Sequence, residues 1–123
     1  MPVTINLSRT QEFLEWLKKK LYLDTLAVNA SRRTVKRGQV YWCELGIGIG
    51  NEISKLTARP CVIIQNNIAN QHSPNTIIAP ITHDTGILPC LIPILTTTDS
   101  LGNIVLDGQV NVSNIMHISK ARI

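Results

Sequence analysis

What this sequence lacks narrows its class. It has no apolar run approaching the roughly 18 residues that would span a bilayer. Its start, from Met1 to Leu7, has no basic patch followed by an apolar core, so no signal peptide is expected and the expected location is the cytoplasm. Aromatics make up only 4% and charged residues 16%, yet 44% of the chain is hydrophobic, an ordinary globular composition and not a disordered one. At 123 residues there is enough for one domain core and too little for two. The cysteines are few and odd in number. Cys43, Cys61 and Cys90 lie far apart in apolar runs, without the spacing of a zinc knuckle or a redox pair, so buried free thiols are expected. His72, His83 and His117 lack metal-ligand spacing and no carboxylate cluster accompanies them, so neither metal nor cofactor is expected. Gly46, Gly48 and Gly50 alternate, but no Gly-Lys-Ser/Thr ending follows, which excludes a phosphate loop.

The net charge of +4 is unevenly placed. Residues 1–37 hold eight bases and three acids, a balance of +5; residues 38–123 hold four bases and five acids, a balance of −1. The basic character belongs to the leading segment, and phosphate binding elsewhere must come from a few placed groups. Arg32, Arg33, Lys36 and Arg37 read as a solvated linker, with contact to a nucleic acid as the sharper alternative.

The chain divides into two parts: residues 1–34 as a helical extension with a linker, and residues 35–123 as a β domain. Residues 8–26 read as a helix, with Ser8 and Gln11 at capping-box spacing. Phe13, Leu17 and Leu21 recur every four residues and form the expected buried face. Residues 27–34 read as the linker. Strands are then expected at Gln39–Glu44, Cys61–Gln65, Thr76–Ile81, Cys90–Leu95 and Ile115–Ile118, with Pro93 placing the fourth at an edge. Within the first, Val40, Trp42 and Glu44 should share one face and Tyr41 and Cys43 the other. Ile104–Leu106 and Gln109–Val112 flank Asp107-Gly108, a two-residue hairpin signal. Many short strands with turn residues between them indicate a small twisted barrel or sandwich.

The long segment from Gly46 to Pro60 carries Asn51, Glu52, Lys55, Thr57 and Arg59. Loops of this length in compact domains are usually functional or disordered. Arg59 precedes Pro60 and a buried strand, so its backbone is anchored where a sheet begins and its guanidinium can present a fixed, planar cation to a phosphate. A structural arginine paired with a carboxylate is the bland alternative. Thr82 is the first polar side chain after an apolar strand and could touch a substrate oxygen, although threonine at a strand end is common. His83, beside Thr82, is the histidine best placed for proton transfer. His72 lies in a turn-rich stretch and reads as surface loop.

Several segments, taken in order, resemble the PemK/MazF toxins. Lys36-Arg37-Gly38-Gln39-Val40-Tyr41-Trp42 is similar to their opening strand, and Gly50-Asn51-Glu52 to a loop motif of glycine, serine or asparagine, and glutamate. Ala58-Arg59-Pro60-Cys61-Val62-Ile63-Ile64-Gln65-Asn66-Asn67 resembles their Arg-Pro strand and the turn after it. Pro74-Asn75-Thr76-Ile77-Ile78-Ala79-Pro80-Ile81-Thr82 is similar to the strand that ends in threonine, and Asn114-Ile115-Met116-His117-Ile118-Ser119-Lys120-Ala121-Arg122-Ile123 to a late segment ending Lys-x-Arg-Leu. The likeness covers residues 35–123.

The resemblance implies an α+β fold, mainly β, with a small SH3-like barrel of the PemK/MazF/CcdB type and an added N-terminal amphipathic helix. It implies the toxin of a type II toxin–antitoxin pair: a metal-independent endoribonuclease, or mRNA interferase, leaving a 2′,3′-cyclic phosphate and a 5′-hydroxyl. It places catalysis at Arg59 and Thr82, with Glu52 as a further candidate and His83 as an addition by position. Asn51, Glu52, Lys55, Asn114 and His117 become candidates for RNA contact. The implied partners are single-stranded RNA, a MazE/PemI-like antitoxin, operator DNA only through that antitoxin, and a second copy of the chain; no membrane is implied. Met116 and His117 stand where the family has arginine and threonine. No counterpart of the family's closing helix is expected within residues 35–123, and residues 8–26 are expected to cover the surface it would cover. A barrel that binds a protein partner, in the manner of a gyrase poison, and an inactive remnant are the alternatives.

Overall fold

The computed structural model describes residues 2–52, 55–83 and 89–123. A long helix, α1, spans Leu7–Ala30. Its cap is Asn6, whose side-chain oxygen accepts from the Arg9 amide at 3.0 Å, so the helix starts before the expected Ser8–Gln11 pair and continues through four residues assigned to the linker. The expected apolar face is also displaced. Phe13, Leu17 and Leu21 are 38%, 50% and 61% exposed, while Trp16 and Ala30 are buried and Leu23, Leu26 and Ala27 half-buried. Trp16 has the largest apolar surface in the helix, and it finds a seat against Gly46, where a Cβ would fall inside the indole ring. The leucine stripe lies on the neighbouring flank and stays outward.

The β elements are β1 (Val40–Cys43), β2 (Arg59–Ile63), β3 (Asn75–Thr82), β4 (Leu91–Pro93), β5 (Thr97–Thr98), β6 (Ile104–Leu106), β7 (Gln109–Asn111) and β8 (Met116–Ser119). A short helix, α2, spans Asn67–His72, so His72 ends a helix and does not sit in a loop; its side chain is exposed, as expected. The main sheet runs β1-β2-β3-β7-β4, with β8 also paired to β3, and among the described residues these strand pairings are antiparallel. This is the expected mainly β class with a leading helix, but the described strand path is open, from β1 to β4, and does not close into a barrel. β4, with Pro93, is an edge strand as expected.

The Asp107-Gly108 hairpin does not form. β6 pairs with β5 in a separate two-stranded ribbon, and β7 pairs with β3 and β4. Gly108 has φ +110°, and a side chain there would strike the Thr82 carbonyl. Its role is to let the chain pass close to the end of β3 as it moves from ribbon to sheet.

Alternation is clear on β1, where Cys43 is buried while Val40 and Trp42 are exposed on the other face. Val35, Cys43, Cys61, Ile63, Ile78 and Ile118 form the core under the sheet. Each such aliphatic, fully buried, contributes about 1.5–3 kcal/mol. Lys120 is also buried there, at 1% exposure; its Nζ donates to the Asn70 carbonyl at 2.6 Å. Asn70 Oδ1 in turn accepts from Thr76 Oγ1 and Gln65 Nε2. Arg33, read from sequence as part of a solvated linker, instead donates to the carbonyls of Lys120 and Ile123 and ties the end of α1 to the last residues.

Candidate active site

β3 is the long strand, and its second edge is shared. Ile81 and Thr82 pair with β7, while Asn75 to Ile78 pair with β8. The chain must leave one partner strand before joining the other, and a 3₁₀ turn, Val112–Asn114, bridges the gap. That turn starts from an Asn111 cap, whose Oδ1 accepts from the Ser113 amide at 3.0 Å. The split leaves a cleft beside the end of β3.

On the other edge of β3, Cys61 pairs with Pro80 and Ile63 with Ile78. Continuing that antiparallel register by two residues sets Arg59 opposite Thr82. Arg59, Cys61 and Ile63 point to one side of β2, and Ile78, Pro80 and Thr82 to the same side of β3. Cys61, Ile63, Ile78 and Pro80 are buried, so Arg59 and Thr82 are the positions at which the core side of the sheet emerges into an open cleft. The cleft, about 340 Å³, is lined by Asn51, Glu52, Arg59, Pro80, Thr82, Asn111 and Asn114.

Arg59 is half-buried and its Nε is shielded from solvent without a hydrogen-bond partner. Among the described residues no carboxylate pairs with it; the ion pairs are Arg9–Glu12, Lys19–Glu44 and His83–Asp107. The structural alternative for this arginine, neutralisation by an acid, is therefore not met. An unneutralised guanidinium facing a cleft suits an anion.

Glu52 reaches the cleft through a closed turn. Its carboxylate accepts from the Ile49 amide at 2.8 Å, and its own amide donates to the Ile49 carbonyl at 3.1 Å. Helix α1 holds the same loop at several points. Arg9 Nη2 donates to the Gly48 carbonyl at 2.8 Å, Trp16 packs on Gly46, and Lys19 Nζ donates to the Leu56 carbonyl at 2.9 Å while pairing with Glu44 at 2.7 Å. From below, Arg122 donates to the Glu44 carbonyl at 3.0 Å with its guanidinium over the Trp16 ring. Burial lowers the Arg122 pKa from its ordinary value.

The structure thus brings together Arg59, Thr82, Glu52, Asn51 and Asn114. It does not bring in the other candidates. His83 is exposed and held by Asp107 at 2.7 Å, outside the cleft lining. His117 is exposed on β8 opposite Ile77, and Lys55 is exposed, with its backbone bridged to Gly46; neither lines the cleft. Adjacency in sequence misplaced His83, because a strand end turns successive side chains apart. Asn111 and Pro80 line the cleft and were not singled out from sequence. A signal for Asn111 was present: it is a polar side chain two residues from Gln109 in a strand, shortly before Asn114.

Residues 36–123 match the profile of the PemK-like, MazF-like toxin of type II toxin–antitoxin systems. The chain is 46% identical over 48 residues to Endoribonuclease EndoA of Bacillus subtilis (strain 168), a stretch covering 39% of this chain and 40% of that relative's length. Among solved structures it resembles an endoribonuclease in complex with its cognate antitoxin from a mycobacterial species, with 28% identity, TM-score 0.56 and 72% of each chain covered. It also resembles a mycobacterial endoribonuclease, with 25% identity, TM-score 0.55 and coverage of 74% of this chain and 70% of the other. MazF from Deinococcus radiodurans, at 17% identity and TM-score 0.53 over 70% of this chain and 71% of its own, shares the fold. With a cleft built on the Arg-Pro strand and the strand that ends in threonine, the chain belongs to the PemK-like, MazF-like toxin family of type II toxin–antitoxin systems.

Proposed function

We propose that this chain is the toxin component of such a pair and acts as an endoribonuclease on single-stranded RNA, with Arg59 and Thr82 as its catalytic residues. The observation that carries the reading is the Arg59 guanidinium: partly desolvated, without a carboxylate partner among the described residues, and across the sheet from Thr82 at the cleft.

In the proposed reaction the ribose 2′-oxygen attacks the adjacent phosphorus as its proton passes to Glu52 or to water, and the 5′-oxygen leaves, taking a proton from Arg59 or from water. The products are a 2′,3′-cyclic phosphate and a 5′-hydroxyl. Negative charge grows on the phosphoryl oxygens as the pentavalent state forms. A guanidinium held in a site of low water content stabilises that charge without reorganising. Thr82 orients the 2′-hydroxyl or a phosphoryl oxygen. Glu52, its carboxylate already accepting one amide hydrogen bond, is placed to contact the substrate or take a proton. Asn51, Asn111 and Asn114 supply amides for base edges or backbone. The nucleophile is the substrate's own hydroxyl, so the scheme needs no metal-activated water.

The partners follow from the family: an antitoxin that blocks the cleft, operator DNA reached only through it, and a second copy of this chain. Exposed Val40 and Trp42 on edge strand β1 support self-association. A cytoplasmic site of action fits an RNA substrate. Among the described residues no helix is long and apolar enough to cross a membrane. The reading is tested by incubating the protein with a long single-stranded RNA in excess EDTA. Discrete fragments whose 5′ ends accept label from a polynucleotide kinase without prior phosphatase treatment are expected. Fragments with 5′-phosphates would contradict the chemistry, and intact RNA would favour a domain that only binds a protein partner.

A further inference from the structure

The cleft at Arg59 does not end at Asn51, Glu52 and Asn114. These three residues also line a second groove of about 490 Å³, which continues away from Thr82 toward α1 and takes in Lys20, Ser113 and Met116. Cleft and groove each fall within the roughly 300–1,000 Å³ range of ligand sites. The far wall of the groove is α1, outside residues 36–123, the part that matches the family. The lysines of that helix are not equivalent. Lys19 is committed to Glu44 and the Leu56 carbonyl. Lys20 is exposed at the groove and has no hydrogen-bond or ion-pair partner among the described residues. The opposite wall supplies amides and a hydroxyl from the 3₁₀ turn, and Met116 supplies an apolar surface.

We propose that this groove binds the nucleotide next to the scissile pair on one side, with Lys20 holding a phosphate and the 3₁₀ turn facing the base. The leading helix thereby becomes part of the RNA site. The inference deepens the nuclease reading and rests on it for the position of the cut. A cationic edge beside a partly apolar floor with amide groups is the combination that single-stranded nucleic acid grooves use. Continuity with the cleft requires that a strand placed on Arg59 either enter this groove or leave by the other side. Arg122 also lines the groove, but it is half-buried, donates to the Glu44 carbonyl and lies over the Trp16 ring, so Lys20 is the exposed cation there.

The test compares a short RNA centred on a cut site mapped in a long transcript with the same RNA extended by a few nucleotides, either 5′ or 3′. For the wild-type chain, one of the two extensions should lower KM about fivefold with kcat little changed, as expected for one added phosphate contact. In Lys20→Ala and Lys20→Glu that ratio of KM values should fall toward one. The salt dependence of binding to the extended RNA should also weaken by about 0.7 in log–log slope. Lys18→Ala, with the same loss of charge on the far side of the helix, should keep the ratio. A ratio preserved in Lys20→Glu, or lost equally in Lys18→Ala, overturns the proposal. If neither RNA is cut, the nuclease reading fails on its own. Anisotropy of the labelled RNAs then still decides the groove: equal affinity for extended and short RNA overturns it, and a Lys20-dependent difference supports it.

Discussion

Arg59, at the start of β2, stands across the sheet from Thr82, at the end of β3. The register that packs Cys61 against Pro80 and Ile63 against Ile78 fixes this pairing, so the same rows of side chains that build the core deliver the two groups to the cleft. The site is thus the open end of the core. Its precision comes from sheet pairing, with the loop carrying Glu52 added on top.

The Thr82 hydroxyl is predicted to act through its oxygen. Thr82→Ser should retain most activity, while Thr82→Val, similar in shape without the hydroxyl, should lose roughly 10²-fold in kcat, the order expected for one positioned polar group. Single-turnover cleavage rates check this, and equal rates for Ser and Val variants would remove Thr82 from the chemistry.

Gly46 joins the loop to α1. It has φ +79°, and any side chain would invade Trp16. Gly46→Ala should cost at least the about 1–2 kcal/mol of a left-handed residue, and should also lift Trp16 from its seat. A red-shifted tryptophan emission with a lowered Tm is expected. Faster amide exchange should follow in residues 46–52, because the Arg9 and Lys19 contacts loosen together with the helix. An unchanged emission spectrum would argue against α1 as the clamp of this loop.

The buried Lys120 is held by a polar network, with the Asn70 carbonyl as its acceptor. Asn70→Ala removes the acceptor that Thr76 and Gln65 share and should destabilise by about 3 kcal/mol. Lys120→Met keeps the volume and removes the charge together with its desolvation cost, so it should be milder than Lys120→Ala. Chemical denaturation at neutral pH orders the three variants; a Met variant as damaged as the Ala variant would show that the ammonium itself is needed.

Cys43 and Cys61 are fully buried, whereas Cys90 is partly exposed. A thiol reagent should modify Cys90 first and reach the other two only on unfolding. Cys43 Sγ donates to the Tyr41 carbonyl and Cys61 Sγ to the Arg59 carbonyl; the proximity of the two thiols lowers the Cys43 thiol and, with burial, pushes the Cys61 thiol up. Rapid labelling of three thiols in the folded protein would contradict this placement.

The strands were legible in the sequence because the core rows are chemically plain: apolar residues bounded by turns, with alternation on Tyr41, Trp42 and Cys43. The helix was legible in existence but not in orientation. Phe13, Leu17 and Leu21 form a good apolar stripe, yet one Trp seated on one Gly decides the face, and that contact joins residues far apart in sequence. The Asp107-Gly108 signal failed for a similar reason. A glycine serving a hairpin and a glycine serving a close pass to Thr82 look alike in sequence. Arg59 and Thr82 were weak signals singly; the strand register gives their relation physical content. His83, a candidate for proton transfer, and His117, a candidate for RNA contact, lie outside the cleft lining; the sequence does not say which way a strand turns such a side chain.

Cleavage by Arg59→Ala is the most direct measurement of the central claim. A folded Arg59→Ala protein, matched to wild type in Tm and circular dichroism, should cut single-stranded RNA in EDTA at least about 10²–10³-fold more slowly than wild type, with Arg59→Lys recovering only a small part. Wild-type cleavage rates in the Arg59→Ala variant would contradict the account.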